Sequence, residues 1–543
     1  MKKILSIVLV VALMFSISAC GKKQTNSNGQ ISSDGQTSSN GQINSDDQTS
    51  IGGQSNNQSG SNNQSGSNNQ SGSNSQSGNK TPVGNTMSAE DKKIAAVFNE
   101  NNIVFSFGAI SDIHIDGAYM AEGSYNKGTT AFKTLQKFAK NGKLDAVLIA
   151  GDLVNCTNSL GNVFADDKYP GTKEENQPKQ AKAERDNFKK VVKDSLPDNI
   201  ALFYSLGNHD SVKNNHTADF IEAFSAGGTY DRYFKYDVNM DDTAKGRRHC
   251  VIGGYHFFGI DLNSVQAPSY AKETFDWLKV ELDKVLKKDK NANIFLSAHY
   301  GPQTAGEYEK EGDFGLKDFL KDYPQVITFH GHDHDFIQKE TAIMQHESGY
   351  ITLNCGSASY YPEKRLVPNL DCVNVDQKTL QPYYGGYLVE IDGEGDIRVR
   401  RINFAKGSIC ADDWVIPAVK NGKRELNYTK ERAKKVQKPY FKDDGTFTIK
   451  QSSYNLQITF DAAVCEDYVF YYKVEVFKAG SNELYKAFGI SSGLFGDESE
   501  SKTKSRHLVY TTPLEKGKYT IKVTPYDTFE NAGKGKEATL TVQ

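Results

Sequence analysis

Short apolar runs recur along the chain from residue 103, and each breaks off into a polar cluster. Residues 103–110 predict a strand ending at Ser111-Asp112. Residues 146–150 predict a second, ending at Gly151-Asp152, and 201–206 a third, ending at Gly207-Asn208-His209-Asp210. Residues 294–297 lead into Ala298-His299, and 326–329 lead to Gly331-His332-Asp333-His334. Apolar runs of this length, bounded by glycine and polar residues, are the signature of buried strands. Between them, helical spacing predicts helices over 129–140 (Phe132, Leu135, Phe138), 180–196 and 271–287 (Phe275, Leu278, Leu282, Val285). Residues 250–260, split by Gly253-Gly254, predict a hairpin, and further strands fall near 351–354, 387–391 and 397–402. Strands alternating with helices, then late strands, predict an α/β sandwich with mixed sheets.

Past about residue 440 the period becomes 2. Residues 454–460 alternate cleanly. Tyr472, Val474 and Val476 share one strand face, as do Tyr519, Ile521 and Val523, and 538–542 form a last strand. This predicts an all-β sandwich over 440–543 that resembles a fibronectin type III or immunoglobulin-like module. Residues 411–439 are read as a connector, and 87–410 as the domain that carries the polar clusters at its strand ends. The sandwich shows no cluster of metal ligands and no candidate nucleophile with a nearby base, so it is expected to be dispensable for chemistry on a small soluble molecule and to contribute position or a surface partner.

Composition changes the picture at the N-terminus. Residues 24–86 hold four aliphatic side chains (Ile31, Ile43, Ile51, Val83) and no aromatic one. Such a stretch cannot bury enough apolar surface to offset its ordering entropy, and its repeated Ser-Asn-Asn-Gln-Ser-Gly units read as a flexible linker over 20–86. Before it, Lys2-Lys3 precede an apolar run from Ile4 to Ile17 that is short for a membrane span and fits a secretory signal peptide over 1–19. The run ends in Ser18-Ala19-Cys20-Gly21, which resembles a bacterial lipobox. That resemblance implies lipid attachment at Cys20 and a location on the outer face of a bacterial cell membrane. The other six cysteines (Cys156, Cys250, Cys355, Cys372, Cys410, Cys465) form no CxxC pair and are expected as small buried residues. A net charge of −3 over 543 residues argues against a specific nucleic-acid partner.

The chemistry lies where the strands end. The carboxyl ends of strands in open α/β sheets face the ligand crevice. Asp112, His114, Asp152, Asn208, His299, His332 and His334 would bring seven N/O donors to that edge. Asp112 and His114, like His332 and His334, are two residues apart, so in extended backbone each pair shares a face. One bridging carboxylate would give eight bonds, four for each of two metals. Imidazole with carboxylate suits Mn, Fe or Zn. Two divalent transition-metal ions so placed favour a bound phosphate, acidify bridging water and stabilise an in-line displacement.

These five blocks, in this order, resemble the calcineurin-like metallophosphoesterase family over about residues 103–404. The resemblance implies that Asp112, His114, Asp152 and His334 hold one metal. It implies that Asp152, Asn208, His299 and His332 hold the other, with Asp152 bridging. It makes His209 the non-ligand histidine that protonates the leaving oxygen. The implied activity is a phosphodiesterase or phosphomonoesterase acting on a phosphoester substrate through a metal-bridging hydroxide. Many family members carry an Asp three residues after the bridging one, to orient the catalytic histidine. Asn155 stands there, so Asn155 and Asp210 are candidate supporting or substrate residues. Asp116, Tyr300 and Asn354 lie beside the blocks as further substrate candidates. The alternative function is a surface adhesin that keeps the fold as a scaffold, which an intact His209 and ligand set oppose.

Overall fold

The computed structural model describes residues 96–155, 160–210, 240–262, 270–302, 315–452, 455–496, 506–510 and 514–543. All of them belong to one compact unit, Gly78–Gln543. The expected signal peptide, Cys20, the linker, Cys156 and His216 lie outside the described residues.

Strands β1 (Ile103–Ile110), β2 (Ala146–Ala150) and β3 (Ala201–Ser205) run parallel, β1 in register with β2 and β2 with β3. Strands β10 (Gly385–Asp392), β11 (Ile397–Asn403) and β12 (Ser408–Ile409) extend this sheet antiparallel on the far side of β1. A second sheet has the order β4-β5-β6-β7-β9-β8, with β5 (Tyr255–Ile260), β6 (Ile294–Ala298), β7 (Val326–His330) and β9 (Ile351–Asn354) parallel. The antiparallel hairpin of β4 (Arg247–Ile252) with β5 confirms the expected one, and β8 (Ile343–Gln345) closes the other edge.

The two sheets face each other across one apolar layer that includes Phe107, Leu148, Phe203, Phe257, Phe295 and Phe329. The outer face of the first is covered by helices α1 (Ala121–Phe138) and α2 (Lys173–Ser195), through Phe132, Leu135, Phe188 and Val191. Helix α3 (Lys272–Lys288) covers the second with Leu278, Leu282 and Val285. Both faces of the parallel strands are therefore buried, which is why Ala-Val-Leu-Ile-Ala reads as a continuous apolar run and not as an alternation. Helices α1 and α2 start eight and seven residues before the predicted 129 and 180. Their first turns are polar and show no apolar stripe. That of α2 is set by a capping box between Thr172 and Glu175.

The C-terminal region is all-β: β14 (Phe447–Ser452), β15 (Asn455–Phe460) and β18 (Arg506–Tyr510) form a three-stranded sheet in that order, and β17 (Leu484–Ser491), β16 (Val469–Lys478), β19 (Gly517–Asp527) and β20 (Lys536–Val542) a four-stranded one in that order. Tyr472, Val474, Val476, Tyr519, Ile521 and Val523 fill the core between the sheets, as their alternation predicts.

Residues 411–439 depart from the expectation of a connector. Trp414–Ile416 forms β13, which pairs with β11, and Tyr428 is buried in the layer between the two α/β sheets. The sandwich is not a separate bead either. Phe336, Tyr361, Leu366 and Val367 share an apolar cluster with Tyr468, Phe470, Tyr471, Leu494 and Phe495. The Val373 amide also donates to the Gly489 carbonyl of β17 at 3.0 Å. Neither contact leaves a periodicity signal, because loops supply one side of each. Among the described residues Cys250, Cys355, Cys372 and Cys410 are free and buried, while Cys465 is free and half-buried.

Candidate metal centre

The ends of β1, β2, β3, β6 and β7 lie on one edge of the sandwich, and their loops are bonded to one another. The amides of Asp112, His114 and Ile115 donate to the carbonyls of Gly151, Asp152 and Leu153, each at 3.1 Å. The His209 amide donates to Asp152 Oδ1 at 2.8 Å and the His332 amide to Asp112 Oδ2 at 3.1 Å. The Gly331 amide donates to the His299 carbonyl at 3.1 Å.

The pairs Asp112/His114 and His332/His334 converge for a different reason from the one expected. Their backbone is not extended. Asp112 (φ 52°), His114 (φ 50°), Asp152 (φ 52°), His332 (φ 69°) and His334 (φ 49°) all lie in the left-handed region. Residues with a Cβ pay for that conformation and hold it where neighbours over-determine it, typically at functional sites. The glycines make the close approach feasible. A Cβ on Gly207 would stand 2.2 Å from Asp152 Oδ1, and one on Gly331 1.8 Å from Ser111 Oγ.

The seven predicted ligands come together in two overlapping sets. In the first, His334 Nε2 is 3.0 Å from Asp112 Oδ1 and 3.1 Å from His114 Nε2, and His114 Nε2 is 3.9 Å from Asp152 Oδ2. In the second, His299 Nε2 is 3.1 Å from Asp152 Oδ2 and 3.0 Å from Asn208 Oδ1, which is 3.1 Å from His332 Nδ1. Asp152 belongs to both. Three trios of this region, Asp112/His114/His334, Asp112/Asp152/His299 and His114/Asp152/His209, each bring their donor atoms within 4.8 Å of one another.

The donor chemistry fits a cation. His299 Nδ1 donates to the Ala150 carbonyl (2.8 Å) and His334 Nδ1 to the Tyr360 carbonyl (3.0 Å). A carbonyl only accepts, so in the neutral ring each Nε2 turns a lone pair toward the cluster. His114 Nε2 and His334 Nε2 meet nitrogen to nitrogen. A separation near 3 Å is the edge expected of ligands that share a metal with bonds of about 2.0–2.1 Å. Asp112 Oδ1 is buried and has no aligned hydrogen-bond donor.

Within the cluster, burial, carboxylates and imidazoles shift one another. Burial pushes the Asp112 carboxyl up, but His334, His114 and His299 outweigh it and hold Asp112 well below the usual range. Burial lowers His299, yet Asp152 and Asp112 prevail and raise it to about 9. Burial lowers His114 to about 4, and burial with His299 lowers His332 to about 3, so these rings stay unprotonated at neutral pH.

His209 is held as His299 and His334 are, through a main-chain carbonyl. Its Nδ1 donates to the backbone carbonyl of Asn155 at 2.8 Å. The Asn155 side chain turns away and donates to Asp116 Oδ2 at 2.8 Å. Asn155 therefore orients His209 through its main chain. Asp210 is 1% exposed and accepts four amides: Gly207 (2.7 Å) and Asp152 (3.0 Å) on Oδ2, Leu153 (2.8 Å) and Val154 (3.1 Å) on Oδ1. It clamps the second block to the third.

Other candidates divide. Tyr300 lies over His332, ring centres 3.9 Å apart, with its hydroxyl 3.5 Å from Asn208 Oδ1. Asp116 lines a groove of about 730 Å³ with His114, Asn155, Lys127, Tyr360 and Lys378. Asn354 caps its own turn, accepting from the Gly356 amide, and lines a different cavity. From sequence the Tyr360-Tyr361 pair reads as packing sooner than as a cleft wall, yet the Tyr360 ring centre is 4.4 Å from that of His334. Arg247-Arg248 reads from sequence as a charge pair without a task; in the fold Arg248 pairs with Asp261 (2.6 and 2.8 Å), whose carboxylate accepts the Leu206 amide beside Gly207. A Tyr-Tyr and an Arg-Arg dipeptide carry no spacing signal that separates these roles from packing.

Residues 105–336 match the family model described as calcineurin-like phosphoesterase. A comparison with curated protein sequences returns no match. Similar solved structures include a purple acid phosphatase from yellow lupin seeds, at 16% identity and a TM-score of 0.36, covering 57% of this chain and 53% of that one. Another is a 5'-nucleotidase precursor from Thermus thermophilus, at 13% identity and a TM-score of 0.28, covering 61% of this chain and 57% of that one. The chain thus spans little more than half the length of either.

Proposed function

We propose that the calcineurin-like phosphoesterase domain of residues 105–336 is a metal-dependent phosphoester hydrolase. The observation that carries this reading is the convergence of the seven donors on shared Asp152, with a supported histidine, His209, beside them. Asp112, His114, Asp152 and His334 would hold one divalent ion, and Asp152, Asn208, His299 and His332 a second. Manganese, iron and zinc all suit this donor set. Bound there, such ions supply positive charge for a phosphate and a nucleophile at neutral pH.

The chain's own groups do the rest. The carbonyls of Ala150 and Tyr360 orient His299 and His334. The Asn155 carbonyl holds the His209 ring so that Nε2 is the nitrogen left to carry a proton to the leaving oxygen. The groove adjoins His114 and Asn155, so it receives the organic part of the ester. Both phosphomonoesters and phosphodiesters are compatible with these roles.

The reading extends to location. We propose a lipid anchor at Cys20, a flexible tether and the outer face of a bacterial membrane, supported by the lipobox-like sequence and the polar repeats. Cys20→Ser should release the protein or leave it unprocessed, as read by fractionation.

The decisive experiment is hydrolysis of aryl phosphate monoesters and diesters by the full chain after chelation and re-addition of Mn, Fe or Zn. Activity should follow metal content. Asp152→Ala should lower the measured metal content at both positions and abolish turnover. Full metal and full activity in that variant would refute the ligand assignment.

A further inference from the structure

Lys339 is 4% exposed. Its Nζ is 3.0 Å from Asp335 Oδ1 and 3.0 Å from Glu530 Oε1, and 5.3 Å from the centre of the Phe470 ring. Asp335 directly follows His334, while Glu530 and Phe470 belong to the C-terminal sandwich. Around this triad the same segment is tied down again. The Phe336 amide donates to Asp335 Oδ1 at 2.8 Å. The Phe336 ring meets those of Phe470 and Phe495 at 5.5 and 6.3 Å. The Glu340 amide donates to the Thr528 carbonyl at 3.0 Å.

A buried ammonium is costly to place, and apolar residues of similar volume often stabilise as well or better, so its presence calls for a role beyond stability. Two features point to one. Glu530 is itself in left-handed backbone (φ 65°), in a turn held by Asp527, which accepts the Phe529 and Asn531 amides. The loop on the other side of Lys339 carries two left-handed histidines, His332 and His334. The ionic link joins one constrained turn to another.

We propose that Lys339 is a positioning residue for the metal centre: through Asp335 and Glu530 it ties the His332–His334 loop to the C-terminal sandwich, so that the sandwich sets the affinity of the site for its divalent ion. The proposal rests on reading the cluster as a metal site. It assigns the sandwich a part in the centre without giving it a ligand. Groups that orient metal ligands typically change affinity or activity by about 10–100-fold when removed, and Lys339 acts at that remove.

The test uses the full chain and Mn as the probe, with affinity read by chelator competition and the 331–336 amides followed by hydrogen exchange. Lys339→Met should weaken Mn binding about tenfold or more and speed exchange of those amides. Turnover at limiting Mn should fall, recover at excess Mn, and leave KM for an aryl phosphate unchanged. Lys339→Arg should restore affinity. If Lys339→Met does not fold, Glu530→Gln, which removes only the sandwich's half of the link, decides, and it should weaken Mn binding severalfold. A folded Lys339→Met or Glu530→Gln protein that binds Mn as tightly as the unaltered chain, with unchanged exchange, overturns the proposal. Failure of the unaltered chain to bind Mn, Fe or Zn overturns the metal-site reading itself, and the proposal with it.

Discussion

His209 and Asp210 are neighbours with opposite duties. His209 has one ring nitrogen committed to the Asn155 carbonyl, and in the role proposed for it the other carries a proton and holds no ion, so its loss should be separable from metal binding. His209→Ala is expected to keep its metal and lose turnover by about 10²–10⁴-fold, the range for a general acid. The loss should shrink for nitrophenyl leaving groups, which need no proton, and an equal loss for alkyl esters would refute the assignment. Asp210 touches no ligand atom, yet four buried amides depend on it. A buried donor left unsatisfied costs about 1–3 kcal/mol. Asp210→Ala should therefore lower stability by about 3 kcal/mol or more in urea unfolding, and Asp210→Asn, which keeps one acceptor oxygen, by less.

At the level of elements, parallel pairing does the gathering. Once β1, β2 and β3 are in parallel register, and β5, β6, β7 and β9 likewise, all their carboxyl ends fall on one edge. The β4–β5 hairpin carries a separate titration. His249 Nε2 is 3.0 Å from His256 Nδ1, and its ring stacks on Phe258 at 4.0 Å. Burial, then His256, lowers His249 to about 4, against about 6.5 in an unfolded chain. The unfolded chain takes up a proton that the fold resists, so this contribution is complete above about pH 6.5 and is lost as pH falls toward 4. Its size is up to about 3 kcal/mol. Urea unfolding of metal-free protein at pH 7 and 4.5 should show the loss, and His249→Phe should flatten part of it.

For the whole molecule, the sandwich and the α/β domain share a core. Removing 440–543 uncovers Phe336, Leu366 and Val367, each at most 1% exposed in the full chain. It also removes Glu530 from Lys339 and leaves that ammonium with one partner. Truncation at residue 439 should therefore give a protein several kcal/mol less stable, or insoluble, by soluble yield and thermal melting. That outcome runs against the expectation of a dispensable module. Phe470→Ala should reproduce part of it, at about 3–5 kcal/mol. Among the described residues no helix is long and apolar enough to cross a membrane.

What the sequence determined by itself was local and periodic. Apolar runs marked the parallel strands, because strands buried on both faces must be apolar throughout. Period 2 marked the sandwich, and the polar clusters at strand ends marked the seven donors and His209. The tertiary structure alone decided what passes between distant segments. It turned the loops that carry the candidate donors into left-handed backbone, since their conformation is set by hydrogen bonds to other loops. It gave the support of His209 to the main chain of Asn155, where a side chain was expected, because a carbonyl is common to every residue and leaves no trace in composition. It placed residues 411–439 and the sandwich in the domain's own packing, since loops that meet through single side chains have no period to read. Burial and long-range pairing are properties of the assembled chain, and Lys339, one lysine among many in the sequence, acquires its position between two carboxylates only there.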